Sequence, residues 1–170
     1  FKEVYYKLDE ALDFEFEQKI DLHPFVPKPN DGFKRIIDIQ AASLYKRLDY
    51  IKTNKVVIGI SGGLDSTLAL LSTCYAFDKY QLNRKNIIGV TMPTSNTSQQ
   101  TLRIAHELMK KLNITSRTIN IDQDVIRALD NIEHNRETKD TTYENVQARY
   151  RTYLLMNIAN LNQAIVIGTA

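Results

Sequence analysis

The residues best equipped for chemistry stand together at Ser61-Gly62-Gly63-Leu64-Asp65-Ser66. Two hydroxyls, two adjacent glycines and one carboxylate sit between apolar runs at 56–60 and 68–71. Glycines lack the Cβ atoms that would block a close approach, and they tolerate dihedrals that let backbone N–H groups converge. A turn of this kind at the start of a helix offers unpaired N–H groups and a partial positive charge to an anion. Ser61 and Ser66 add hydroxyl donors, so the stretch reads as a phosphate cradle. It is not a Walker loop, which needs GxxxxGK[ST], nor a GxGxxG dinucleotide fingerprint. What sets it apart is Asp65, an acid inside an anion site. Carboxylate and phosphate repel unless a cation stands between them, and a magnesium ion bridging Asp65 to phosphate oxygens resolves the conflict. On their own, Gly-Gly and Asp-Ser also suit a plain turn with a helix cap. The strand-like run before them and the helix-like run after them favour the cradle.

The surrounding pattern predicts the elements that would hold this loop. Residues 1–22 are mixed, and 23–32 carry three prolines followed by Asn-Asp-Gly, which is linker chemistry. We read 1–32 as an interdomain linker or leader and 33–170 as one domain. Phe33, Ile37, Ala41, Leu44, Leu48 and Ile51 recur at helical steps. A strand is predicted over 55–60 and a helix over 66–77, with Leu68, Leu71 and Tyr75 on one face. A second strand follows at 86–92. After the loop "PTSNTS", Thr97 with Gln100 suggests a capping box for a helix carrying Leu102, Ala105, Leu108, Met109 and Leu112. A weak strand at 116–121, a short helix at 122–129, an exposed loop at 130–141, a long helix at 142–160 and a strand at 164–168 complete the chain. Apolar strands alternating with helices imply an α/β fold, an open parallel sheet with helices on both faces. In such sheets ligands bind beyond the carboxyl ends of the strands, which is where Ser61–Ser66 falls.

Composition narrows the function. Of the 170 residues, 43% are hydrophobic and 25% charged, as in a globular chain with a proper core. A net charge of +2 is too small to point to nucleic acid. No apolar run reaches the length of a membrane span, and the first residues lack a signal-peptide pattern, so a cytoplasmic chain is expected. The single cysteine, Cys74, rules out an internal disulfide and a cysteine-based zinc site, and its apolar neighbours make it a buried hydrophobe. His23, His106 and His134 lack metal-ligand spacing. The sequence starts without Met and stops on an apolar strand, and we read it as part of a longer chain, truncated at its C-terminus.

The SGGLDS stretch resembles the pyrophosphate loop of N-type ATP pyrophosphatases, a Rossmann-like superfamily that cleaves ATP to AMP and pyrophosphate. Two further stretches narrow the resemblance. "TYENVQARYRTYLLMNIAN" is similar to the ENxQARxR helix of NAD synthetases, and "VIGTA" to the start of their GT-x-DLSE segment. "HPFVP" resembles the junction that follows the glutaminase domain in the glutamine-dependent form. The resemblance implies ATP-dependent amidation of nicotinic acid adenine dinucleotide (deamido-NAD) through an acyl-adenylate, with ammonia drawn from glutamine. Residue by residue, it implies that Gly59, Ser61, Gly62, Gly63, Leu64, Asp65, Ser66 and Thr169 contact ATP and that Asp65 binds Mg2+. It implies that Asn145 and Arg149, on one helix face, contact deamido-NAD. The family's second metal carboxylate lies in the DLSE segment, past Ala170, so the chain by itself is expected to be inactive. Relatives form homodimers, so a homodimer or larger homo-oligomer is expected. The alternatives are another pyrophosphatase-loop ligase such as GMP synthetase, which would lack the ENxQARxR helix, and a non-catalytic nucleotide-binding module.

Overall fold

The computed structural model describes residues 31–168, together with residues 3, 5, 22–24, 26 and 27. Its helices are α1 (Gly32–Tyr50), α2 (Leu64–Lys79), α3 (Gln99–Lys111), α4 (Asp122–Asp130) and α5 (Thr141–Asn162). Its strands are β1 (Val56–Gly59), β2 (Ile87–Thr91), β3 (Thr115–Thr118) and β4 (Ile165–Ile167). The strands form one sheet in the order β3-β2-β1-β4, and every neighbouring pair is parallel. Val56 stands opposite Ile87 on one side and Ile165 on the other.

Alternation along the strands divides the core in two. Val56, Ile58 and Ile60 face α1, α2 and α3, packing with Leu48, Leu70, Phe77, Ala105 and Met109. Val57, Ile88 and Val90 face α4 and α5, packing with Val125, Leu129, Ile158 and Ala159. Both faces are therefore covered, as the uninterrupted apolar strands predict. Gly89 lets β2 and α3 meet: a Cβ there would lie 2.6 Å from Met109 Sδ and 2.8 Å from Ile114 Cδ1. The chain runs from β1 through β2 to β3 on one side, then crosses to β4 on the far side of β1. That reversal places a crevice above the carboxyl end of β1. Among the described residues no helix is long and apolar enough to cross a membrane.

Several sequence expectations are corrected. Helix α2 begins at Leu64 instead of residue 66, so Leu64, Asp65 and Ser66 belong to its first turn. Its buried residues are Ser66, Leu70, Thr73, Cys74, Ala76 and Phe77, while Leu68, Leu71 and Tyr75 lie on its exposed side. The helix is apolar around most of its circumference, so sequence periodicity does not fix its rotation. Contact with α1 and the sheet does. Phe33, at the start of α1, is exposed. The cap of α3 is Ser98, whose Oγ accepts from the Thr101 N–H at 3.1 Å. Thr97 Oγ1 is instead taken by the Thr94 N–H at 2.9 Å. Strand β3 ends at Thr118, β4 is only half-buried, and His134 sits largely buried within the 131–140 loop.

Candidate active site

The loop after β1 is shaped by its own hydroxyls and glycines. The Ile60 N–H donates to Val90 O at 2.8 Å, which carries the parallel pairing one residue past the strand. The chain then turns at Gly62, whose φ is +83°. A Cβ at Gly62 would meet Thr101 O at 2.7 Å, so glycine is required both for the backbone conformation and for the approach of α3. Ser66 is buried, and its hydroxyl holds the turn closed. It lies 3.1 Å from Ser61 Oγ, accepts from the Ser61 N–H at 3.3 Å and donates to Gly63 O at 3.2 Å. Ser61 Oγ accepts from the Gly63 N–H at 3.2 Å. The first intrahelical bond of α2 runs from the Thr67 N–H to Gly63 O at 3.1 Å. The N–H groups of Leu64, Asp65 and Ser66 precede that bond, and among the described residues no side chain caps the helix. They are the orphan donors of a helix start, at the end where the macrodipole is positive.

These groups open on a cleft of about 720 Å³. Gly59, Ile60, Ser61, Gly63, Asp65 and Ser66 form its base. The end of β2 and the following loop add Val90 to Pro93 and Asn96 to Ser98, and α3 adds Thr101. The fourth wall is one face of α5, Ala148, Arg151, Thr152 and Leu155, the three-and-four spacing of a single helix stripe. Ile60, Val90, Met92 and Leu155 make part of the lining apolar, which suits a flat ring. The loop donors make the rest of it suit an anion.

Two charges in the cleft are uncompensated. Asp65 is exposed and makes no hydrogen bond or ion pair among the described residues. Arg151 is half-buried, and its Nη2 lies 3.5 Å from Gln147 Oε1 with no acidic partner among the described residues. Desolvation pulls the Arg151 pKa below the usual arginine value, since burial disfavours the charged form. Arginine nonetheless stays protonated at neutral pH, so the cleft carries a fixed, partly dehydrated positive charge opposite a helix N-terminus. No three His, Cys, Asp or Glu side chains cluster among the described residues. Asp65 therefore offers a single protein ligand. That fits magnesium, which keeps several waters and takes the rest of its shell from substrate phosphates.

Of the predicted site residues, Gly59, Ser61, Gly63, Asp65 and Ser66 line this cleft. Gly62 shapes it from behind. Leu64 lies in the same turn with its side chain largely in solvent. Asn145 is half-buried and Arg149 exposed, and neither lines the cleft. They occupy the adjacent face of α5. Thr169 lies outside the described residues. The sequence reading passes over Arg151, which stands two residues from Arg149 and so points to another side of the helix. It also passes over Thr101 and Asn96, which carry no motif. Burial lifts the Cys74 thiol to about 11, which removes it as a nucleophile at neutral pH. His106 is exposed and shares a 2.8 Å hydrogen bond with Thr118 Oγ1.

Residues 36–170 match the family model described as NAD synthase. The chain is 34% identical over 178 aligned positions to the glutamine-dependent NAD(+) synthetase of Mycobacterium tuberculosis, covering 99% of this chain and 26% of that protein. It is 34% identical over 121 positions to the NH(3)-dependent NAD(+) synthetase of Thermoplasma acidophilum, covering 70% of this chain and 46% of the other. Among solved structures, the glutamine-dependent NAD+ synthetase of Acinetobacter baumannii in complex with ADP superposes with a TM-score of 0.70 at 26% identity, covering 84% of this chain and 27% of that one. The NMN synthetase of Francisella tularensis gives 0.68 at 28% identity, covering 81% and 54%. The chain thus spans about a quarter of the length of the mycobacterial relative.

Proposed function

This chain belongs to the NAD synthase family, and on that premise we propose that it binds ATP in the cleft above β1 and serves the amidation of deamido-NAD to NAD. In this reaction the nicotinate carboxylate attacks the α-phosphorus of ATP and pyrophosphate leaves. Ammonia, supplied from glutamine in the whole protein, then attacks the acyl carbon of the adenylate and AMP leaves. The N–H groups of Leu64, Asp65 and Ser66 hold the pyrophosphate portion, and Arg151 balances its charge from the opposite wall. The apolar lining around Met92 and Leu155 receives the adenine ring. Asp65 holds magnesium, which when bound neutralises charge on the phosphates. No residue of the chain is assigned as acid or base, and its work is orientation and electrostatic stabilisation. Asn145 and Arg149 take the deamido-NAD, and Thr169 belongs with the ATP contacts.

The observation that carries this reading is a helix start with free N–H groups, a carboxylate without a cationic partner and an arginine without an acidic one, all on one cleft among the described residues. The division into a leader over 1–32 and a synthetase domain over 33–170 is supported by the extent of the family match, 36–170. Homo-oligomerisation is supported by the exposed apolar row Leu64, Leu68, Leu71 and Tyr75 along α2, a patch of the kind that marks an interface.

The test supplies the whole protein that carries this chain with ATP, Mg2+, deamido-NAD and ammonium; the 170-residue chain alone is expected to turn over little or nothing. NAD and AMP are expected in equal amounts, and ADP with inorganic phosphate in their place would overturn the reading. The likeness to the Francisella NMN synthetase favours a second acyl substrate, nicotinate mononucleotide. Offering both acids in competition decides between them.

A further inference from the structure

The loop between β2 and α3 forms one wall of the cleft through Asn96, Thr97 and Ser98, and two residues outside the cleft hold it. We propose that Asp122 and Tyr143 are positioning residues that fasten this loop and thereby set the affinity for ATP. The inference rests on reading the cleft as an ATP site.

The first tether continues the sheet. Beyond the last paired residues of β2 and β3, the Ile119 N–H donates to Thr91 O at 3.0 Å and the Ile121 N–H to Pro93 O at 3.3 Å. The backbone of α4 then turns away, and the ladder has no further main-chain acceptor for the 93–98 loop. Asp122, the first residue of α4, supplies one from its side chain: Oδ1 accepts from the Ser95 N–H at 2.8 Å. A carboxylate taking a backbone N–H makes a charge-assisted bond, stronger than the amide rung it replaces. Asp122 is itself oriented, since its N–H donates to Asn120 Oδ1 at 2.9 Å.

The second tether reaches the loop from α5. Asn96 Nδ2 donates to Tyr143 Oη at 2.9 Å. Tyr143 is fixed on three sides. Its ring packs against the core on the α4 and α5 face, the Lys139 ammonium lies 3.9 Å from its ring centroid, and its N–H donates to the helix cap Asp140 at 2.9 Å. His134 Nε2 in turn holds Asp140 Oδ1 at 3.0 Å.

The two tethers grip adjacent residues of one closed turn. The Thr97 N–H donates to Thr94 O at 2.8 Å, and Thr97 Oγ1 accepts from the Thr94 N–H. Residues 94–97 therefore move together, and fixing Ser95 and Asn96 also fixes the side of the turn that faces the phosphate loop. Neither Asp122 nor Tyr143 lines the cleft, so both act through the loop.

Two measurements on the whole protein that carries this chain test this, one independent of nucleotide. In the ligand-free protein, Asp122→Ala is expected to speed hydrogen exchange at the Ser95 amide about tenfold. Asp122→Asn, which keeps an acceptor oxygen, should restore slow exchange. Tyr143→Phe keeps the ring and its packing and should loosen the loop more mildly. In turnover, Asp122→Ala and Tyr143→Phe should each raise the KM for ATP about fivefold, with the KM for the acyl substrate and the melting temperature of Tyr143→Phe unchanged. Unchanged exchange in both variants would overturn the proposal. So would faster exchange with an unaltered KM for ATP. Should the unsubstituted chain bind no ATP, the nucleotide reading fails, while the exchange rates still decide whether the tethers hold the loop.

Discussion

The seam between α1 and α2 and the cleft above β1 are both rich in charge, and they treat it in opposite ways. In the seam, Asp38 accepts from Lys79 Nζ and, at 2.8 Å, from Tyr75 Oη. The Lys79 hydrogen bond, then that of Tyr75, holds the Asp38 carboxyl below the usual range. Near the C-terminal end of α2, Asp78 takes a forked pair of bonds from Arg84 in the segment that follows, at 2.7 and 2.5 Å. Each charge there is answered by a neighbour within the chain. In the cleft, neither Asp65 nor Arg151 has an oppositely charged partner among the described residues. An ion that its own fold has not compensated remains available to a ligand, whereas a paired ion contributes mainly to orientation and to stability. Partnership therefore separates the two roles better than residue type does, since both regions use an aspartate on α1 or α2 and a long-chain cation.

The sharpest way to break this contrast is to remove Asp65. Asp65→Ala should lower AMP formation by at least about two orders of magnitude. Because the carboxylate has no partner among the described residues, stability should stay within about 0.5 kcal/mol, as read from urea unfolding. Lost stability with retained turnover would invert the assignment. Next in size is Arg151→Ala, expected to weaken ATP binding by about 1.5–3 kcal/mol, the usual range for one hydrogen bond to a charged group. Arg151→Lys should recover only part of this, since the planar fork is lost. Titration calorimetry with a non-hydrolysable ATP analogue checks both.

Arg149 sharpens the comparison inside a single helix. It lies two residues from Arg151 but on the exposed face, so Arg149→Ala should change the KM for ATP less than about twofold while raising that for deamido-NAD severalfold. Equal effects on the two substrates would show that the two arginines are not divided in this way.

The smallest effect is expected in the seam, and only in acid. Asp38 has a folded pKa below the ordinary aspartate value, held down first by the Lys79 hydrogen bond. Its contribution to stability is therefore complete above the unfolded pKa and is lost as pH falls through the folded one. The urea midpoint should fall below about pH 4, less steeply in Asp38→Asn, while ATP affinity at neutral pH is the same in both. A change in ATP affinity would tie the seam to the cleft.

Much of this arrangement was legible from residue order. The apolar, β-branched run ending at Ile60, the paired glycines and the helix-forming segment after them are local features, and local physics specifies a strand, a turn with positive φ and a helix start. The acid within that turn predicts a cation for the same local reason, and that cation remains an expectation of the sequence. The linker residues 28–30 and Thr169 lie outside the described residues and remain expectations of the sequence.

What only the tertiary structure decided was rotation and partnership. Helix α2 is apolar on nearly every side, so its sequence is compatible with burying either Leu68 and Leu71 or Leu70 and Phe77. The sheet and α1 choose the second pair. Helix α5 mixes polar and apolar residues around its circumference, so which of Arg149 and Arg151 turns toward the cleft is settled by its packing against β1 and β4. The cap of α3 falls on Ser98 because the 94–97 turn has already engaged Thr97. The tethers of that turn join residues 27 and 47 positions apart. Such pairings depend on how the chain is brought together in space, and no short-range pattern encodes them.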